Sequence, residues 1–517
     1  MTIPKLWGTA SRPRALPQEK GPGWVATLIA ALVSIPVSGG VIAASALSSP
    51  WVGLGAVAGV LVTLGMFLSP TLSLVAVAVS LPLERIGRLT EDFSSFTISL
   101  SRIVGLVALG CLFAQVLLLR RRLRFGLAFW LYAGYTAFAL VGVTWALQQA
   151  DAMRDGQRIL GNLLFFFLVV NLITRYDLVR IGIMAWLLAS AGSSGYGIYQ
   201  YHFGDVIGES QMGSTGQRFT GVVEDDAETS TLGMKVKRAY GTTSHPGLFG
   251  LNLTMTIPFF AWIMRGQRDW IKLMWFVLLG VCCYGILISN TRFTFVVAGL
   301  MVVATLVRGL WDFRPLTFAL LIVAGIAAFP LIPTDTYMRA FDPQLYSTDK
   351  SNAIRIRFKM LDKSLDILNE HWLLGIGVGN QDIVPAMITD EPGGRITPDG
   401  LKASAHNEFV WSMVEVGIFG WLLHWGFVVL IIAASIRGAA RLKRMPGESE
   451  QYWFLVAAQI MLICVPLYGV QSEVFHYALK GWWFVAGIVW VIWSAVKNQG
   501  NGAAGPVAAP MAREQFA

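Results

Sequence analysis

Charge is scarce in this chain: 14% of its 517 residues are Asp, Glu, Lys or Arg, while 55% are hydrophobic and mean hydropathy is +0.58. Such a composition has too little polar surface to cover a water-soluble globule, which excludes the ordinary soluble enzyme. Cysteine is rarer still, with four residues, Cys111, Cys282, Cys283 and Cys464. All four lie in apolar runs, where neither a zinc spacing nor a secreted disulfide framework fits, so they read as packing residues. No Asp-x-Asp triplet occurs anywhere in the sequence. Many transfers from diphosphate donors use such a pair to hold a divalent ion, and a site without one needs fixed cations. No internal repeat is visible either.

Long apolar runs fill the space that charge leaves. Runs of roughly 17 to 25 apolar residues cross about 30 Å of hydrocarbon as helices that satisfy their own backbone hydrogen bonds. About fourteen can be drawn, over 24–47, 51–69, 71–83, 101–119, 127–147, 159–173, 179–201, 246–264, 270–288, 293–311, 315–333, 407–435, 452–470 and 475–495. The second and third are short and split by Ser69-Pro70, and a re-entrant pair there would leave twelve full crossings. The expected fold is an all-α integral membrane protein of about 12–14 transmembrane helices, with a large periplasmic loop that carries an amphipathic helix. Ala44-Ser45-Ala46 resembles a signal-peptidase site, but the long run before it and the many spans after it favour an anchor.

Sidedness follows from Lys and Arg, because positively charged loops resist translocation. With the N-terminus inside, about 21 Lys+Arg and 7 Asp+Glu fall on the cytoplasmic side against about 19 and 24 outside, or +14 and −5, which sum to the net +9. The basic excess is therefore topological. Arg120-Arg121-Arg122 with Arg124, and Arg437 through Arg444, are short clusters suited to anionic lipid, and nucleic acid is not an expected partner. The chain then divides into a cytoplasmic segment 1–23, an N-terminal transmembrane bundle 24–201, a periplasmic loop 202–245 and central helices 246–333. A large periplasmic loop 334–406, C-terminal helices 407–495 and a Gly/Ala/Pro-rich tail 496–517, read as disordered and cytoplasmic, complete it.

Function is expected in the two outer polar segments. In the larger, Phe358, Leu361, Leu365, Leu368 and Trp372 share one helical face while Lys359, Lys363, Asp366 and Glu370 oppose it, which predicts a helix lying flat on the outer leaflet. Arg357 sits about 60° from the centre of that stripe, so either it reaches along the surface towards a lipid headgroup or it is a snorkelling rim residue. The segment ends at Ala403–Trp421, ASAHNEFVWSMVEVGIFGW, where polar chain meets apolar span. His406 there is open to two readings, a reactive imidazole or a polar cap, with Asn407 and Glu408 suited to a helix start. Glu415 lies about two turns into the span, where an ionisable group is costly unless partnered. His424, deeper still, reads as neutral and hydrogen-bonded.

Arg292, in Ser289-Asn290-Thr291-Arg292, occupies a tight outer turn between spans, and Arg238 opens RAYGTTSHPGLFG, whose Gly241 and Pro246 suggest an ordered turn. Boundary arginines commonly anchor helices, but two flanking adjacent spans on one side also offer rigid bidentate donors for phosphate oxygens. Leu374–Asn380, LGIGVGN, is not a dinucleotide fingerprint, since no strand precedes it and no βα alternation exists. Glu224-Asp225-Asp226 with Glu228 reads as a solvated acidic loop rather than a metal site, and no metal or cofactor is expected.

The stretch from Arg357 through LNEHWLLGIGVGN and on to AHNEFVWSMVEVGIFGW resembles the signature of the O-antigen ligase and polymerase superfamily. RAYGTTSHPG and SNTRFTF resemble its two upstream arginine motifs, and the likeness spans about residues 235–435. It implies a metal-independent enzyme of the bacterial inner membrane, with both termini cytoplasmic and the active site periplasmic. Its implied reaction moves a glycan from an undecaprenyl-diphosphate carrier to a hydroxyl on an acceptor glycan, lipid A core or protein, in surface polysaccharide synthesis. By motif, His406 would be the general base, Arg238 and Arg292 would grip the diphosphate, and Arg357 would support them. Asn407 and Glu415 are secondary candidates. His245 stands where an Asn is expected nearby and is left unassigned. An imidazole, with an unperturbed pKa of about 6.5, suits removal of a hydroxyl proton as the glycosidic bond forms. Ligase and polymerase are not separated by these residues. A flippase or transporter of lipid-linked sugars is the competing reading, drawing on the intramembrane Glu415, His424 and Lys480, and a scaffold without catalysis is a third.

Overall fold

The computed structural model describes residues 50–83, 99–204, 206–208, 222–225, 236–243, 245–311, 350–380, 407–444, 450–470, 472, 474–475 and 479–501. The protein is an all-α integral membrane protein with one small sheet outside the bundle. Among the described residues, six helices are long and apolar enough to cross a membrane and several shorter apolar helices accompany them. The expected spans 24–47 and 315–333 lie outside the described residues, and each of the other twelve is occupied by helix.

Helices α1 (Pro50–Leu68) and α2 (Pro70–Ser80) meet at Ser69, whose hydroxyl accepts from the Leu72 N–H at 3.4 Å while Pro70 opens the second helix. With 11 residues, α2 is about 16 Å long and cannot cross the hydrocarbon alone. Helices α3 (Leu100–Leu119), α4 (Leu127–Gly142), α5 (Gln149–Leu172) and α6 (Asp177–Phe203) follow. The polar start of α5, absent from the expected span 159–173, is an added amphipathic turn that buries Ala152, Asp155 and Gly156. The run 246–264 is two helices, α7 (Pro246–Thr254) and α8 (Ile257–Met264), because Pro258 has no N–H to continue the ladder. This broken span is almost wholly buried, and its Thr254 and Thr256 hydroxyls bond the carbonyls of Gly250 and Leu253.

Helices α9 (Asp269–Ile288), α10 (Arg292–Val307), α11 (Lys350–His371), α12 (Glu408–Leu442), α13 (Glu450–Tyr468) and α14 (Lys480–Asn501) complete the set. An aromatic centre built from Tyr132, Phe166, Phe427 and Trp483 joins α4, α5, α12 and α14, with the Phe427 and Trp483 rings stacked at 5.4 Å. The sheet pairs β1 (Val206–Gly208) parallel with β2 (Val222–Asp225), and β2 antiparallel with β3 (Val236–Arg238). It places Glu224 and Asp225 in a strand rather than in the loop expected from sequence.

The helix ends sort into two groups. One gathers Arg124 beside Asn171, Arg180 on Glu450 at 2.7 Å, and Arg265 over Trp453 at 3.6 Å. The other gathers the starts of α7, α10 and α12 with the end of α13. The α11 helix appears where it was expected, but its buried face is Met360, Ser364 and Ile367, and Leu365 and Trp372 point outward. Of the predicted stripe, Leu365 and Trp372 thus lie on the outer side while Leu368 joins the inner face, which packs on Val410 and Val414. The free thiols of Cys111, Cys282 and Cys464 are buried in packing, and Cys283 is half-buried.

Candidate functional site

The turn Ser289–Thr291 is built by Asn290, a left-handed residue with φ 48° whose amide donates to the Lys237 carbonyl at 2.8 Å. Asn tolerates that conformation better than most residues, which explains its place here. The Ala239 N–H donates to the Ile288 carbonyl at 3.0 Å, so β3 is laid directly against the end of α9. Arg238 consequently reaches the same turn: its Nε donates to the Ser289 carbonyl at 3.5 Å and its Nη2 to the Thr291 hydroxyl at 3.3 Å. Thr291 caps α10, and Arg292 is the first residue of that helix. Arg238 and Arg292, distant in sequence, are thereby joined through one threonine.

Downstream of Arg238, Gly241 adopts φ +53°, and a Cβ on it would meet the Phe249 ring at 2.3 Å. Only glycine fits that turn. His245 then caps α7, its Nδ1 accepting from the Gly247 N–H at 3.0 Å. This gives the unassigned histidine a structural role.

The third contributor is α12. Asn407 is its N-cap, with Oδ1 accepting from the Phe409 and Val410 N–H groups at 3.0 and 3.1 Å. Glu408 is buried; its N–H donates to the Gly469 carbonyl at 2.7 Å and its Oε2 accepts from the Phe475 N–H at 3.0 Å. The end of α13 is thus pinned to the start of α12. Tyr468, next to Gly469, packs edge-on against Phe293 with ring centroids 5.1 Å apart, and Phe293 adjoins Arg292. The Tyr468 hydroxyl also lies 3.5 Å from where a Gly247 Cβ would be. Three helix starts, those of α7, α10 and α12, therefore converge around Tyr468. Helix N-termini carry positive partial charge, so this end combines three such dipole ends with two guanidinium groups and suits an anion.

Not every candidate joins this cluster. Glu415 is buried and its Oε1 accepts from the Gly379 N–H at 2.8 Å, which ties it to the loop after α11 rather than to the arginine turn. His424 is buried with neither ring nitrogen bonded among the described residues, against the expectation of a hydrogen-bonded imidazole. Aromatic rings surround it, Tyr135 at 5.0 Å and Phe475 at 5.2 Å, and they offer packing instead of acceptors. Lys480 donates to the Ser101 hydroxyl at 2.5 Å. His406 and the Arg357 side chain lie outside the described residues, although the backbone at 357 belongs to α11. Thr291 and Tyr468 take their roles from long-range contacts that the sequence does not signal, whereas Glu408 reads in sequence only as suited to a helix start, with no sign of its long-range bonds to Gly469 and Phe475.

The O-antigen ligase family profile matches residues 275–425, from α9 to the middle of α12. That stretch is similar to the O-antigen ligase family. The matched segment contains Arg292, Arg357, His406, Asn407 and Glu415, while Arg238 lies before it and is brought to it by the β3 contact. The match supports ligase- or polymerase-like function in general, with a lipid-linked glycan and an acceptor as partners. No curated protein matches the chain.

Proposed function

We propose that the protein transfers a glycan from undecaprenyl diphosphate to an acceptor hydroxyl on the periplasmic face of the bacterial inner membrane, without a metal. The observation that carries this reading is the joining of Arg238 to Thr291 at the first turn of the Arg292 helix, beside the Asn407-capped start of α12. In the proposed reaction the acceptor oxygen attacks the anomeric carbon and its proton passes to the His406 imidazole. The bond from that carbon to the diphosphate oxygen breaks, and undecaprenyl diphosphate leaves with the electron pair. Arg238 and Arg292 oppose the charge that gathers on it, with Arg357 in support, and each well-placed donor is worth about 3 to 4 kcal/mol in such a role. A polyprenyl tail needs hydrocarbon beside its headgroup, which accounts for a catalytic end built on membrane helices.

The arginine-rich opposite end is placed in the cytoplasm by the positive-inside rule, with both termini there. The transporter reading draws on ionisable groups along a central path, but Glu415 and Lys480 are each held by a protein partner at 2.8 and 2.5 Å. Mixing the purified protein with undecaprenyl-diphosphate glycan and candidate acceptors tests the proposal, and the product identifies ligase or polymerase. Movement of lipid-linked sugar across liposomes with no glycan transferred would sink it in favour of transport.

A further inference from the structure

Helix α12 breaks at Gly417, where φ is 58° and ψ −173°. A break inside an apolar span strands backbone groups where water is scarce, at a cost of several kcal/mol if nothing replaces the lost bonds. The chain leaving α11 replaces them. Ile376 and Gly377 donate their N–H groups to the carbonyls of Val414 and Glu415 at 3.0 and 2.9 Å, and the Ile418 N–H donates to the Trp372 carbonyl at 2.9 Å. The two backbones cross in contact: a Cβ on Gly417 would lie 2.3 Å from the Leu373 carbonyl oxygen.

One side chain adds to this exchange. The buried Glu415 carboxylate accepts from Gly379, and Gly379 in turn lies against the α5 start, where a Cβ on it would meet Asp155 Oδ2 at 3.0 Å. Asp155 is paired with Arg158 at 3.1 Å. On its other side the loop receives the Leu147 N–H at Ile376 and the Gln148 N–H at the Asn380 side chain, at 3.2 and 2.6 Å. From this crossing α11 runs back along the first turns of α12, with Met360 and Ile367 against Val410 and Val414. The 11 residues from 371 to 360 span about 16 Å and the 10 from 417 to 407 about 15 Å, so Met360 comes level with Asn407 and the backbone at 357 lies about one turn beyond it.

We infer that Glu415 is a positioning residue: by holding Gly379 it locks the loop into the Gly417 break and fixes α11 and α12 as one rigid unit across the site. Its purpose rests on the transfer reading above. The lock itself does not.

The test uses full-length protein in detergent, with the four native cysteines replaced by alanine and spin labels on the exposed Leu365→Cys and Val429→Cys. Glu415→Ala is expected to broaden the label distance distribution and to lower kcat about 100-fold with donor KM little changed. Glu415→Gln, which keeps an acceptor oxygen, is expected to retain the narrow distribution and most of the rate. Gly379→Ala, which pushes the loop away with the carboxylate intact, is expected to broaden the distribution and stands in if Glu415→Ala fails to fold. A narrow distribution in both the Glu415→Ala and Gly379→Ala proteins, or equal losses in Glu415→Gln and Glu415→Ala, overturns the inference. A wild-type protein that transfers no glycan counts against the transfer reading alone, since the label distances still decide the lock.

Discussion

Both ends of the bundle carry arginines, and the two ends set them differently: Arg121, Arg124 and Arg265 meet helix closes at one, and Arg292 starts α10 at the other. At the basic end, Arg121 donates to the Asn171 carbonyl and Arg124 to that of Ile173 at 3.1 Å, both at the close of α5, and Arg265 donates to the Gly309 carbonyl just beyond α10 at 2.8 Å. Cations at helix C-termini complement the dipole and satisfy orphan carbonyls, so these residues stabilise the fold where they stand. Burial, with Arg124 beside it, brings the Arg121 guanidinium down to about 10, which still leaves it charged at neutral pH. At the other end, Arg292 is the first residue of α10, and Arg238 bridges the Ser289 carbonyl that closes α9 and the Thr291 hydroxyl at the N-cap position of α10. A cation at a helix N-terminus works against the dipole. In the proposed reaction the diphosphate brings the negative charge that a helix N-terminus favours, so the contrast is between arginines that satisfy helix C-termini and those proposed to meet a ligand.

The largest expected effect breaks the comparison on the reactive side. His406→Ala should lower glycan transfer by roughly 100- to 10,000-fold with unchanged thermal stability, measured by product formation from lipid-linked donor. Retained activity would remove the base assignment while leaving the arginine site intact. Next, Arg292→Ala should cost about 100- to 1,000-fold in transfer, with Arg292→Lys intermediate because a point charge lacks the bidentate fork. Arg265→Ala should leave transfer unchanged and lower stability by about 1 kcal/mol, read by thermal unfolding in detergent. Equal losses of transfer from Arg292→Ala and Arg265→Ala would erase the distinction between the two ends.

Smaller effects sharpen it. Asn407→Ala removes the acceptor for two N–H groups and should cost about 1 kcal/mol of stability, with Asn407→Asp close to wild type. A chelator should change nothing in the rate of transfer, since the proposed site holds its diphosphate with guanidinium groups. A chelator-sensitive rate restored by one divalent ion would contradict that.

Much of this organisation is legible in the sequence, and the limits are physical. Apolar runs set the helices because only a self-satisfied backbone survives in hydrocarbon, and the turns at Gly241 and Asn290 follow from residues that tolerate positive φ. What remains hidden is pairing between distant segments. LGIGVGN looks like a failed nucleotide fingerprint until Ile376 and Gly377 are found filling the Gly417 break. The break itself sits inside a mainly apolar run, where a glycine gives no sign of which carbonyls it frees. The stripe on α11 was likewise visible, but Met360, Ser364 and Ile367 form the inner face because α12 lies on that side, a fact carried by neither helix alone. Arg238 and Arg292 are legible as two arginines flanking adjacent spans on one side, but the contact of β3 with the end of α9 that joins them through Thr291 is not.

The most direct measurement is a double-mutant cycle on the dissociation constant for undecaprenyl diphosphate, using Arg238→Ala, Arg292→Ala and both together in detergent. A shared diphosphate site predicts that each single change weakens binding by at least about tenfold and that the two couple by about 0.5 kcal/mol or more. Binding unaffected by either substitution would contradict the account at its root.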